Sequence, residues 1–150
     1  MSTSDKFYKD IELELTALKR VKLDLCNEIE SVKHDQDTLL DSIFIDLISV
    51  VDSYEKAYNK VEEKFNGDES ALRTRKLFAT SLKKLLCVFE KYGVSEIKFP
   101  DGVATPKDSE VVDTEPDLEK PENTIVSIEK KGYRRNGRLL RLAEVVVVKN

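Results

Sequence analysis

One hundred and fifty residues admit one ordinary domain, or a small domain joined to an extended segment. Charged residues make up 36% against 40% hydrophobic, a balance that suits long exposed helices better than a compact enzyme. A single histidine, His34, excludes zinc sites that need two imidazoles and every His-pair mechanism. Cys26 and Cys87 lie far apart without C-x-x-C spacing, so neither a metal knuckle nor a disulfide framework is expected. Both read as small apolar residues of a reducing compartment.

The amino end, Met1 to Tyr8, lacks the basic and then apolar regions of a secretory signal. The best apolar run, Ile43 to Val51, is cut by Asp46 and Ser49 and is too short to span a bilayer. The expectation is a soluble, cytoplasmic chain with no membrane partner. A net charge of -4 gives no global pull toward nucleic acid. The charge is unevenly placed, however: residues 101–123 carry eight acids against two lysines, and residues 124–150 seven basic residues against two acids. Such opposed faces either dock an acidic partner or neutralise each other within the chain.

Up to Tyr92 there is no proline and only Gly67; all four prolines and the remaining glycines follow. Helices therefore come first, then strands and turns, an α+β chain. The first stretch, residues 1–38, carries a seven-residue period. Ile11, Leu18, Leu25, Val32 and Leu39 fall on one position; Leu15, Lys22, Ile29, Gln36 and Ile43 fall on the other. One seam is wholly apolar and the other is interrupted twice, the pattern of a two-stranded coiled coil in which register matters. A parallel homodimer is predicted, with Leu18, Leu25, Ile29, Val32, Leu39, Ile43 and Leu47 at the interface. The alternative is one amphipathic helix packed on the chain's own core. His34 reads as a solvated flank residue, and Cys26 is expected on the seam near its dimer mate.

Residues 39–93 widen the apolar face. Leu39, Leu40, Ile43, Phe44, Leu47, Ile48, Val51, Tyr54, Ala57, Tyr58, Val61 and Phe65 follow three- and four-residue steps. Asn66-Gly67-Asp68 is expected to stop this helix. A second helix follows, its face running from Leu72 through Leu82, Leu85, Leu86 and Phe89 to Tyr92, with Gly93 ending it. Two such hairpins would complete a dimeric four-helix bundle. Residues 94–150 read as a small β domain. Val111-Val112, Ile125 to Ile128, Leu139-Leu140 and Val145 to Val148 are strand candidates, and Asn136-Gly137 supplies a tight hairpin turn. Four consecutive valines predict a strand covered on both faces, or one face covered and one facing a partner. Pro116 to Glu122 reads as a solvated loop.

The run Lys131-Gly-Tyr-Arg-Arg-Asn-Gly-Arg138-Leu-Leu-Arg-Leu-Ala-Glu-Val-Val-Val-Val-Lys149 resembles the carboxy-terminal signature of the GrpE family. That signature is K-G-Y, then N-G-R, an aliphatic pair and an alternating valine strand. Leu47-Ile-Ser-Val-Val-Asp-Ser-Tyr-Glu-Lys-Ala57 is similar to the family's L-L-P-V-L-D-N-L-E-R-A, with Ser49 at the usual proline. Leu82 to Val94, followed by Ile97, is similar to L-x-x-L-L-x-V-L-x-K-F-G-V-x-x-I. The resemblance covers residue 40 onward. One motif departs: where the family has F-D-P-x-x-H-E-A-V, this chain keeps Pro106 but places Thr105 at the aspartate and Ser109 at the histidine. Leu142 stands where many members have proline.

The resemblance implies a nucleotide-exchange factor for DnaK-type heat-shock chaperones, acting in protein folding and the stress response. It implies an elongated homodimer whose β domain opens the nucleotide cleft of the chaperone's ATPase domain, so that ADP leaves. Such a factor needs no covalent step, no cofactor and no metal, and the chain has no phosphate loop or nucleophile–base pair; it is read as a non-enzyme. Carried over by position, the chaperone contacts are Arg138, Pro106, Ala104 and Val147. The alternative for Arg138 is an exposed arginine paired with the acidic loop. Gly132, Asn136 and Gly137 read as turn formers and Tyr133 as a packing aromatic. Lys22 and Gln36 either specify register or weaken the zipper for a thermosensor role, which the resemblance implies. Two other classes compete: a coiled-coil scaffold without exchange activity, and a nucleic-acid binder using Arg134, Arg135, Arg138 and Arg141. The latter lacks an aromatic stacking stripe.

Overall fold

The computed structural model describes residues 3–64 and 69–150, and the chain divides into two compact units between Leu40 and Asp41. Two helices come first, α1 (Thr3–Lys64) and α2 (Glu69–Lys91). Six strands follow: β1 (Val94–Glu96), β2 (Ser109–Glu115), β3 (Ile125–Lys130), β4 (Tyr133–Arg135), β5 (Arg138–Arg141) and β6 (Ala143–Val148). The α+β class is as the sequence implied. The helix stop at Asn66-Gly67-Asp68 and the core place expected for Phe65 lie outside the described residues.

In the first unit the helix is solvated all round. Every side chain from Lys6 to Leu39 is exposed, including the seam residues Leu18, Leu25, Ile29, Val32 and Leu39. In the second unit α1 turns one face inward. Phe44, Ile48 and Val51, at steps of four and three, are buried with Phe89 of α2, Val94 of β1 and Tyr133 of β4. Rings organise this core: Phe44 meets Phe89 edge-on at 5.4 Å between centroids, and Phe89 meets Tyr133 at 6.1 Å. The core thus runs through both helices and the first sheet, across position 93/94.

That first sheet has the order β1-β4-β5, all antiparallel. Its hairpin turns at Asn136 (φ 49°) and Gly137 (φ 81°), two consecutive left-handed residues that match the twist of the flanking strands. Gly93, at φ 75°, closes the end of α2, where its N–H donates to Glu90 at 3.0 Å. Its carbonyl accepts from Asn136 N–H at 2.9 Å, so the helix end and the hairpin tip are joined.

The second sheet has the order β2-β6-β3. The valine run is its centre: β6 pairs in parallel with β2 and antiparallel with β3. Val145, Val146, Val147 and Val148 are all buried, so the strand is covered on both faces. Val147 packs with Ala143 and Val145 against Phe99, Ala104 and Ile125. Val112 is the extra residue of a bulge between Val111 and Asp113.

Gly132 is needed for a different reason from the one its motif suggests. It carries no positive φ; a Cβ there would lie 2.6 Å from the Ala143 nitrogen and 2.9 Å from Ile97 Cδ1. The glycine of K-G-Y allows close backbone approach to the start of β6, rather than a turn.

Candidate functional site

Two turns carry the residues singled out for partner contact. The first runs from Thr105 to Ser109. Pro106 is exposed at its tip, and Ala104, half-buried at its entrance, packs on the second core. The turn is closed by hydroxyl and backbone bonds. Ser109 N–H donates to the Thr105 carbonyl at 2.8 Å, and Ser109 Oγ donates to the same oxygen at 2.9 Å. Thr105 N–H in turn donates to Ser109 Oγ at 3.1 Å. Ser109 is buried, so its hydroxyl holds the loop from inside. The departure from the family motif leaves an ordered turn, secured by a serine.

The second turn is Asn136-Gly137 with Arg138 following. Arg138 is half-exposed, and Nη2 donates to Asp41 Oδ2 on α1. The alternative that Arg138 pairs with the acidic loop is therefore corrected: its carboxylate is Asp41. The other oxygen of Asp41 accepts from Arg135 Nη1 at 2.7 Å, and the Arg135 side chain is only 7% exposed. Two further contacts follow the same helix. Arg141 grips Asp52 with both terminal nitrogens at 2.6 and 2.9 Å, and Lys131 Nζ reaches Glu55 at 2.7 Å. The Asp52 hydrogen bond holds Arg141 above its usual value, against the opposing effect of burial. For Lys131 burial pushes down, and the Glu55 and Glu96 carboxylates more than offset it.

One guanidinium spans both turns. Arg134 Nη2 and Nε donate to Asp108 Oδ1 at 2.6 and 3.2 Å, and Nη2 also reaches the Lys107 carbonyl at 3.3 Å. Its Nη1 donates to the Gly137 carbonyl at 3.1 Å. The hydrogen bond from Arg134 holds the Asp108 carboxyl below the usual carboxylate range. The structure therefore links the turns that carry Pro106 and Arg138 through Arg134. Val147 does not join them: at 3% exposure its side chain belongs to the core beneath and offers no contact surface. Of the interface residues, Ile43 is exposed on α1, and Leu47 packs partly against the first core.

Asp41, Asp52, Glu55 and Asp108 were missed as partners of the basic tail. A signal existed for three of them. Positions 41, 52 and 55 share the side of α1 that carries Phe44, Ile48 and Val51, since eleven residues complete about three helical turns. Acids beside a buried face call for cations. A cavity of about 490 Å³ between α1, α2 and β3 includes Lys131 and Glu55 in its wall but neither Pro106 nor Arg138. Among the described residues, no group of three His, Cys, Asp or Glu side chains is placed to hold a metal ion.

The sequence profile of the GrpE family matches residues 4–149. The chain belongs to the GrpE family. Protein GrpE of Alcanivorax borkumensis is 27% identical over 159 aligned positions, covering 98% of this chain and 82% of that protein. The mitochondrial GrpE protein homolog of Neurospora crassa is 31% identical over 79% of this chain. Protein GrpE of Francisella tularensis subsp. novicida is 35% identical over 70% of it. The chain spans about half the length of these last two relatives, 53% and 52%. GrpE membership extends to the amino-terminal helix, beyond the three motifs that carry the resemblance from residue 40 onward.

Proposed function

We propose that this GrpE-family chain is a nucleotide-exchange co-chaperone that binds the ATPase domain of a DnaK-type chaperone and promotes ADP release. The family match over nearly the whole chain is the observation that carries the reading. The geometry supports it: an exposed proline turn and an exposed arginine turn, one on each sheet, are tied side by side by Arg134. Arg138 is suited to a carboxylate or carbonyl of the chaperone, with Pro106 as an apolar contact. Exchange then follows from binding the open cleft more tightly than the closed one, which lowers nucleotide affinity by the same factor. No bond is made or broken, so the chain acts as a non-enzyme and without a cofactor.

The proposed assembly is a parallel homodimer in the cytoplasm. Its support is the unpartnered apolar stripe of α1 from Ile11 to Ile43. Beyond Ile43 the outward face continues through Val50 and Tyr54 to Phe78 of α2, whose ring meets Tyr54 at 5.8 Å. The steps Leu39, Ile43, Leu47, Val50 and Tyr54 insert four residues into the heptad rhythm, a stutter at the entry to the proposed bundle. Among the described residues no helix is long and apolar enough to cross a membrane.

Stopped-flow release of a fluorescent ADP analogue from a DnaK-type chaperone tests the function. Strong acceleration by the wild type, reduced in Arg138→Ala, is expected. No acceleration at any concentration overturns the reading in favour of a coiled-coil scaffold.

A further inference from the structure

We propose that Arg134 is a positioning residue for chaperone docking: its guanidinium sets the spacing between the Pro106 turn and the Arg138 turn, so that both engage one surface. The inference rests on the functional reading above and adds a residue to it that touches neither of the two contacts through its own side chain.

The argument begins with what holds each turn. Internally the Thr105–Ser109 turn is closed by Ser109, and the hairpin by its own β4–β5 pairing. Each is therefore ordered by itself, and neither set of bonds fixes one relative to the other. The tie is Arg134. It leaves β4 and uses three nitrogens: Nε and Nη2 cross to Asp108, Nη2 also reaching the Lys107 carbonyl, while Nη1 holds the Gly137 carbonyl of its own hairpin. Lys107 follows Pro106 directly and Gly137 precedes Arg138 directly. Each end of the clasp is thus one peptide from a proposed contact residue.

Only a planar fork with several donors in fixed directions can do this. A lysine ammonium keeps the charge, but a single nitrogen does not satisfy a carboxylate on one side and a carbonyl on the other. Within the Thr105–Ser109 turn Ser109 closes the loop and Asp108 takes the clasp. Because Asp108 is itself held to β6, through Ala143 N–H donating to its carbonyl at 3.0 Å, the clasp pulls against a fixed point.

The test uses the full chain, wild type and variants Arg134→Ala, Arg134→Lys, Asp108→Asn and Arg138→Ala, with Arg134→Ala/Arg138→Ala as the double. Affinity for the nucleotide-free ATPase domain and acceleration of ADP release are measured together, with thermal unfolding as the control for fold. The expected result is about tenfold weaker binding for Arg134→Ala. Asp108→Asn shifts it in the same direction, and thermal unfolding stays close to wild type. Arg134→Lys fails to rescue. In the Arg138→Ala background the effect of Arg134→Ala shrinks to less than half. Full rescue by lysine shows a general charge effect and overturns the proposal. So do strictly additive single variants, or an Arg134→Ala protein that binds like wild type while wild type accelerates release. A wild type that leaves ADP release unchanged overturns the functional reading itself, and the inference falls with it.

Discussion

Asp41 joins the helix to the sheet that carries the Arg138 turn, and Asp41→Asn isolates what that joint is worth. Its two oxygens serve two different arginines, Oδ1 to Arg135 at 2.7 Å and Oδ2 to Arg138. The two limbs differ in kind. Arg135 is 7% exposed, Asp41 20% and Arg138 49%. Withdrawing a carboxylate from an enclosed guanidinium costs about 3–5 kcal/mol when both groups are fully buried. The residual exposure of Asp41 reduces that, and the half-exposed Arg138 limb adds under about 1 kcal/mol. Asparagine and aspartate have nearly the same helix propensity, so the backbone contributes little to the difference. The expected loss is about 2–4 kcal/mol. Urea unfolding at fixed protein concentration reads it as a fall in the midpoint with unchanged slope. Replacing Arg135 by methionine removes that limb, and in that background Asp41→Asn should cost less than about 1 kcal/mol. Equal costs in both backgrounds, or a loss of under about 0.5 kcal/mol in the wild type, would refute the assignment of the burden to the Arg135 limb.

Three other outcomes are expected. Phe89→Ala removes the ring that Phe44 and Tyr133 both pack against, so unfolding free energy should drop by about 3–5 kcal/mol. Gly132→Ala drives a methyl into the Ala143 backbone nitrogen, and should destabilise the β region by more than the roughly 1 kcal/mol typical of a point mutant, read as a lowered urea midpoint. Tyr133→Phe concerns pH. Burial pushes the Tyr133 phenol well up, and Glu55, Glu96 and Asp52 add to it. Above the ordinary value of 10.0 the unfolded chain loses this proton while the native state keeps it, so stability falls as pH rises. Lys131, held above 10.5, contributes with the same sign. Tyr133→Phe should therefore soften the loss between pH 7 and pH 11. At pH 7 it should cost little, because the hydroxyl is buried without a hydrogen-bond partner among the described residues.

Local chemistry made much of the fold legible. The heptad period, the proline-free helices, Gly93, the Asn136-Gly137 turn and the valine strand each depend on neighbours in sequence, and the structure has a helix, cap, hairpin and central strand at those places. What was not legible is non-local. Nothing in Ser109–Glu115 announces that it lies parallel to β6 across a connection of 27 residues, from 116 to 142, that includes three other strands. Nor does K-G-Y declare whether its glycine serves a turn or a close approach, which only the position of Ala143 decides. At the site, residue identity predicted which turns are exposed, and only the three-dimensional arrangement shows that one arginine ties them together.

The charge asymmetry shows why reading along the chain misleads. Acids from 101 to 123 adjoin bases from 124 to 150, and mutual neutralisation is the simplest inference from that order. Among the described residues, Arg134–Asp108 is the ion pair that answers to it. Arg135, Arg138, Arg141 and Lys131 take their partners from α1, at sequence separations of 76 to 97 residues. Those ion pairs sit where the helix already turns Phe44, Ile48 and Val51 into the core, so apolar burial and charge pairing fix the same interface. Burial supplies most of the free energy, and the directional pairs select one rotation of the helix against the sheet. The consequence reaches the docking turn. Arg138 is seated on the helix through Asp41, so under the proposed function a chaperone carboxylate either takes the nitrogens of Arg138 that Asp41 leaves open or exchanges with Asp41. That exchange is mild, because Asp41 retains Arg135 as its counter-charge throughout.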